Sequence, residues 1–175
     1  LSNDRYSTIN LIAKDNHSIY FNRLSDSIYN NGLLNIETQS GAANIQSISG
    51  EGTTNIKSGT VNVKGDLSQY IVHVGTEATL NFLGGTIAGE ITGPIVEKEI
   101  SPGQMVDVSI GTAGDINIVE NAMVGIANGS KLQNLHLGNN SIVNLLNDSY
   151  DKISINNLYT ENGSIGKILL DVGKD

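Results

Sequence analysis

Apolar and polar residues alternate in short runs along this chain, and asparagine takes the polar place with unusual regularity. The pattern appears as Leu33-Leu34-Asn35-Ile36, Thr54-Asn55-Ile56, Val61-Asn62-Val63, Leu80-Asn81-Phe82, Ile116-Asn117-Ile118 and Val143-Asn144-Leu145. Related copies are Ala43-Asn44-Ile45, Asn134-Leu135 and Asn157-Leu158. A period of two places the residues flanking each Asn on one face of a strand and the Asn on the other. Val61 and Val63 are therefore expected to face inward with Asn62 outward. Ile116 and Ile118 repeat the arrangement around Asn117, and Leu80 and Phe82 around Asn81.

Turn signals separate the runs: Asn31-Gly32, Ser40-Gly41, Ser49-Gly50-Glu51-Gly52, Ser58-Gly59, Lys64-Gly65-Asp66, Gly84-Gly85, Asn128-Gly129 and Asn162-Gly163. Strands this short, divided by such small corners, are poorly suited to a sandwich meander. They suit a coil in which each strand stacks on its counterpart one layer away. No segment shows helical periodicity over ten or more residues. The spacing is too irregular for hexapeptide left-handed helices, and the glycine-aspartate nonapeptide of calcium-binding solenoids is missing. The pattern predicts an all-β chain, a right-handed single-stranded parallel β-helix. At roughly 20–25 residues per coil, seven or eight layers spaced ~4.8 Å would form a rod of about 35 Å.

Both prolines, Pro94 and Pro102, fall in Thr92-Gly93-Pro94-Ile95-Val96-Glu97-Lys98-Glu99-Ile100-Ser101-Pro102-Gly103, where the period breaks. Proline is excluded from central strands, so this stretch is expected to be an excursion or a joint. It divides the chain into stem layers, 1–100, and a C-terminal region, 101–175. The chain opens at Leu1 and closes on Asp171-Val172-Gly173-Lys174-Asp175. It reads as a piece of a longer protein, needing a cap or further layers at its N-terminal end, because an open layer leaves backbone unpaired.

Composition sharpens this picture. The chain holds 22 Asn and 22 Ile but only 10 Lys and Arg together, so an AT-rich coding bias, which would also raise Lys, does not account for the asparagines. Short polar side chains that tolerate the left-handed region suit tight corners. The net charge of −8 disfavours nucleic acid and anionic membranes, which need clustered cations. With no Cys there are neither disulfides nor thiolate metal sites, and stability must come from a repetitive core. No window approaches the ~20 apolar residues of a membrane-spanning helix.

Candidate chemistry is sparse. His73 stands between Val72 and Val74, and His136 between Leu135 and Leu137, so both are expected on outward faces. With His17, they lack metal-ligand spacing. Asp107, Asp115, Asp148 and Asp151 are the acids a glycan-cleaving β-helix would use. Arg5 and Arg23, the only arginines, lie far from them along the chain, so the acids read as solvated turn carboxylates. A calcium site at the Asp148 and Asp151 corner is the sharper alternative. Gly65-Asp66-Leu67-Ser68 lacks the glycine elbow and base of an esterase, and Gly84-Gly85 reads as a corner. The aromatic segments Ile19-Tyr20-Phe21 and Ser27-Ile28-Tyr29 are expected to stack in the core of two early layers, with an exposed aromatic patch for partner binding as the alternative. No catalytic, cofactor or metal residues are assigned, and the chain is not read as an enzyme.

From about Lys131 to Val172 the chain resembles the C-terminal, pertactin-like or autochaperone region of autotransporter (type V secretion) passenger domains. The resemblance rests on Lys131-Leu132-Gln133-Asn134-Leu135-His136-Leu137-Gly138-Asn139-Asn140-Ser141-Ile142-Val143-Asn144-Leu145. It continues through Tyr150-Asp151-Lys152-Ile153-Ser154-Ile155-Asn156-Asn157-Leu158 and Glu161-Asn162-Gly163-Ser164-Ile165-Gly166-Lys167-Ile168-Leu169-Leu170-Asp171-Val172. The family's usual tryptophan is absent, and Gly163-Ser164-Ile165-Gly166-Lys167 stands where a glycine pair with an aromatic is common.

The resemblance implies a bacterial surface protein, an adhesin or virulence factor, threaded through its own C-terminal outer-membrane β-barrel by way of the periplasm. A host protein, or self-association, is the expected partner at the cell surface, with no nucleic acid and no small-molecule substrate. In that family the C-terminal layers fold first and template the rest. The corresponding folding-critical core is Leu135, Leu137, Val143, Leu145, Ile153, Ile155 and Leu158. The competing expectations are a pectate-lyase-like, polysaccharide-active β-helix and a viral or phage fibre segment.

Overall fold

In a computed structural model the described residues are 1–109, 111–146, 151–160, 163 and 165–170, and every regular element among them is a β-strand. The first are β1 (Ser2–Asn3), β2 (Thr8–Ala13), β3 (Ile19–Phe21), β4 (Ile28–Asn30), β5 (Leu33–Ile45) and β6 (Ile48–Ser49). Then come β7 (Thr53–Val63), β8 (Leu67–Val74), β9 (Ala78–Phe82), β10 (Thr86–Thr92), β11 (Ile95–Ser101) and β12 (Gln104–Ser109). The last are β13 (Asp115–Ile118), β14 (Met123–Ala127), β15 (Lys131–Leu137), β16 (Ile142–Leu146), β17 (Ser154–Thr160) and β18 (Lys167–Leu170). The chain is all-β, as its alternation predicts.

Outside one hairpin, every strand pairing among the described residues is parallel. The pairings fall into three sets. In the first, Ile9, Leu34, Thr54, Val72, Ile91, Leu132 and Ile155 stand in one column, each opposite the next. In the second, Phe21, Ile45, Val63, Phe82, Ile118 and Leu137 do the same. The third runs Ile28, Ile48, Leu67, Ile87, Ile126 and Leu145. Long strands such as β5 and β7 serve two sets, their first halves in one and their second halves in the next.

These columns are the core. A single cluster of buried side chains runs from Ile28 to Val143, with Ile9, Leu11, Phe21, Leu145, Ile153 and Ile155 packed half-buried against it. Layers of like aliphatic residues remove each other's apolar surface from water, at roughly 25 cal/mol per Å². The strand alternation expected from sequence holds. Val61, Val63, Leu80, Phe82, Ile116 and Ile118 are all fully buried, while Asn62, Asn81 and Asn117 are half-buried on the opposite face.

The aromatic segments obey the same alternation and so depart from the expected core stacking. Ile28 is buried and Ile19 and Phe21 pack on the core, but Tyr20 and Tyr29, at the intervening positions, are 65% and 51% exposed. Period two sends the tyrosines outward.

The proline-bearing stretch is an excursion. Here β11 and β12 form a separate two-stranded antiparallel sheet, from the pair Ile95 and Ser109 to the pair Ser101 and Gln104. Gly103 sits at its tip with φ +77° and donates its N–H to Glu99 Oε1 at 2.7 Å. The stack runs past the hairpin. β9 before it pairs with β13 after it, residue for residue from Thr79 and Asp115 to Phe82 and Ile118. The point near residue 100 expected to divide the chain therefore lies inside β11, and the buried cluster holds residues from both sides of it.

Candidate functional site

The outward face of the stack is organised by side-chain amides. On the first set of strands Asn35 Nδ2 donates to Asn10 Oδ1 at 2.8 Å, and Asn55 Nδ2 to Asn35 Oδ1 at 3.1 Å. On the second, Asn62 donates to Asn44 at 3.0 Å, Asn81 to Asn62 at 2.9 Å and Asn117 to Asn81 at 3.0 Å. Asn157 repeats the bond to Asn134 at 2.9 Å. Each amide carries both a donor and an acceptor, so each Asn can bond to the layer on either side. Of the described asparagines, only Asn121 and Asn140 take positive φ. Corners such as those at Asn16, Asn31, Asn121, Asn128, Asn139 and Asn140 account for part of the asparagines, and laddering for another large part.

One column ends in rings and another is interrupted by one. Asn44, Asn62, Asn81 and Asn117 stand in register between Tyr20 on one side and His136, then Tyr159, on the other. The rings of His136 and Tyr159 stack with centroids 4.8 Å apart. The first column changes from amide to imidazole at His73, which lies opposite Asn55. His73 keeps the outward parity expected for it, but contrary to the expected exposure it is 6% exposed, with Nδ1 3.2 Å from the carbonyl oxygen of Gly93. A carbonyl accepts only, so Nδ1 carries the proton. The chain leaves β10 at Gly93-Pro94 beside this ring, where the Gly93 carbonyl oxygen meets Nδ1.

A cleft of about 690 Å³ opens beside His73. The faces of β7, β8 and β10 form its floor, with Thr53, Asn55, Ile71, Glu90 and Thr92, and Ile95 of the hairpin forms one wall. Tyr70 stands at its edge, 74% exposed. A β-bulge between Ala88 and Glu90 interrupts the pairing of β10 with β8. Gly89 at the bulge has φ +110°, and a Cβ there would overlap the Gln69 carbonyl oxygen. The bulge lies immediately before Glu90, whose carboxylate is 3.9 Å from Lys131 Nζ.

The folding-critical residues expected from sequence are only partly interior. Leu135, Leu137 and Val143 are buried, and Leu145, Ile153 and Ile155 pack half-buried on the core. Leu158 is 41% exposed, a correction to its placement in the core. Its strand β17 pairs only with β15 among the described residues, so no layer covers the other side of it. Of the candidate acids, the side chain of Asp107 lies outside the described residues. Asp115 is exposed at the start of β13 and Asp151 is exposed, while Asp148 and the corner around it lie outside the described residues. Among the described residues there is no cluster of three or more His, Cys, Asp or Glu. His17 is exposed, with Nδ1 3.2 Å from the Lys14 carbonyl oxygen.

An interior amide network has no counterpart in the sequence reading. Asn3, Asn30, Thr54 and Gln69 are all buried. Asn3 Nδ2 donates to Asn30 Oδ1 at 2.7 Å, and Asn30 Nδ2 to Gln69 Oε1 at 2.7 Å. Gln69 Nε2 in turn donates to the carbonyl oxygens of Gly50 and Ser68, each at 3.0 Å. The available signal was a polar residue at an inward position, Asn30 two residues after Ile28 and Gln69 two after Leu67. Comparison with protein families, with curated proteins and with solved structures yields no match.

Proposed function

We propose that this chain is a right-handed, single-stranded parallel β-helix serving as the stem and folding-promoting region of a bacterial surface passenger of the autotransporter type. The observation that carries the reading is the column Ile9, Leu34, Thr54, Val72, Ile91, Leu132 and Ile155. One residue per layer recurs in parallel register along the chain. A parallel pair needs a crossover, and crossovers between parallel strands of one sheet are right-handed in about 98% of cases. Repeating that crossover generates a right-handed coil.

Such a stack suits export as an unfolded thread. Each incoming layer docks on a finished one, so its loop-closure cost is that of about 20 residues rather than of the whole chain. The absence of Cys removes the cross-links that would block threading. Leu135, Leu137 and Val143, buried in the later layers, would supply the surface on which earlier layers assemble.

The test uses the whole gene in its own host. Leu135→Asp places a charge in a fully buried column and should abolish surface display, read by antibody labelling of intact cells, while synthesis continues. The distal part of the gene should encode an outer-membrane β-barrel. Display at the unaltered level, or a gene without a barrel, overturns the proposal.

A further inference from the structure

The cleft beside His73 departs from the repeat that surrounds it. On the first face the outward column is amide at Asn10, Asn35 and Asn55, then switches to His73 and Thr92. The switch leaves Asn55 Oδ1 buried without a hydrogen-bond partner, since the next layer has no amide to donate. The same layers carry the bulge before Glu90 and the exposed ring of Tyr70, and the hairpin leaves the stack here. Where a repetitive protein breaks its own local rule, a function is the usual compensation.

We propose that this cleft binds an uncharged, hydroxyl-rich ligand, a short stretch of neutral glycan. Its volume, about 690 Å³, lies within the ~300–1,000 Å³ of small-molecule sites. The negative face of an exposed tyrosine ring attracts the polarised C–H groups of a sugar, and Tyr70 offers such a ring at the edge. Glu90 accepts hydrogen bonds, while Thr53 and Thr92 both donate and accept. Ile71 and Ile95 supply an apolar surface between these groups.

Charge narrows the class. Among the described residues lining the cleft none is Lys or Arg, and Glu90 contributes a carboxylate whose ion-pair partner Lys131, 3.9 Å away, lies outside that lining, so a phosphate or uronate seated in the cleft meets no cation there. A second hollow of about 270 Å³ shares Glu90 and Thr92 but is lined by Lys131 as well as Gln133, Ser154 and Asn156, so the neutral-ligand assignment is confined to the larger cleft. This assignment does not depend on the secretion reading.

Titration calorimetry of the chain with neutral tetrasaccharides, of glucose and of N-acetylglucosamine, tests it against a galacturonate tetrasaccharide. A neutral probe should bind, and the galacturonate should bind at least about ten-fold more weakly, a difference of ~1.4 kcal/mol. Tyr70→Ala, at a position exposed enough to leave folding intact, should weaken the neutral complex about ten-fold. Tyr20→Ala, an exposed tyrosine away from the cleft, should leave it unchanged. Failure of both neutral probes to bind, equal binding of galacturonate, or indifference to Tyr70→Ala overturns the assignment.

Discussion

The side-chain amide of Asn30 donates to Gln69 Oε1 at 2.7 Å, although 39 residues separate the two along the chain. Both are buried, and Thr54 Oγ1 donates to the same oxygen at 3.0 Å. The network lines an interior corner, where Gln69 Nε2 also meets the carbonyls of Asn30, Gly50 and Ser68. An aliphatic residue at 69 would leave several buried polar groups unsatisfied, at ~1–3 kcal/mol each in the absence of relaxation. Gln69→Leu is expected to destabilise the chain by about 3 kcal/mol in urea unfolding. A cost below the ~0.5 kcal/mol of an ordinary surface change would show that the network contributes little.

The outer ladder should grade its members by position. Asn62 donates to Asn44 and accepts from Asn81, so Asn62→Asp sets a carboxylate against the Asn44 carbonyl oxygen. A loss of ~1–2 kcal/mol is expected from the forfeited bond and the new repulsion. Asn157 is exposed and only donates, to Asn134. Asn157→Ala should cost under ~0.5 kcal/mol. Equal losses at the two positions would contradict a ladder whose strength depends on shielding from water.

Gly89 allows a test of the bulge. Its φ of +110° and the Gln69 carbonyl beside it exclude a side chain. Gly89→Ala should cost about 2 kcal/mol or more and shift the chemical shifts of Glu90 and Gln69. Gly163, with φ +79° and open space around it, should lose only the ~1–2 kcal/mol of a left-handed L-residue.

Leu135 and Leu158 stand opposite each other in β15 and β17, yet the first is fully buried and the second 41% exposed. Leu135→Ala should cost ~2–5 kcal/mol by leaving a cavity. Leu158→Ala should cost about 1 kcal/mol, because little packing is lost. Denaturant midpoints at constant slope would measure both.

Replacing Ile95–Ser109 by a short Gly-Ser link should leave the stack folded, since β9 and β13 pair without the hairpin. A stability change within about 1 kcal/mol is expected, as loop-closure entropy varies slowly with length. Global unfolding at low denaturant would instead show the hairpin to be part of the core.

Much of this architecture was legible along the chain. Period-two alternation around Asn62, Asn81 and Asn117 identified the inward residues, and the two prolines marked the excursion. Alternation is a local property, enforced by the strand backbone itself. The same rule, applied to Tyr20 and Tyr29, would have sent them outward. Their aromatic bulk suggested a core that their parity denies.

What the sequence determined alone is the strand content, the face each apolar residue takes and the place where the period fails, because all three follow from neighbours in the chain. Only the tertiary structure decided that Asn30 meets Gln69, that His73 is covered by Gly93, and that Leu158 lies at an uncovered edge. Those outcomes depend on which layer lands opposite which. Register between layers is set by the summed packing of whole columns, a quantity no single segment carries.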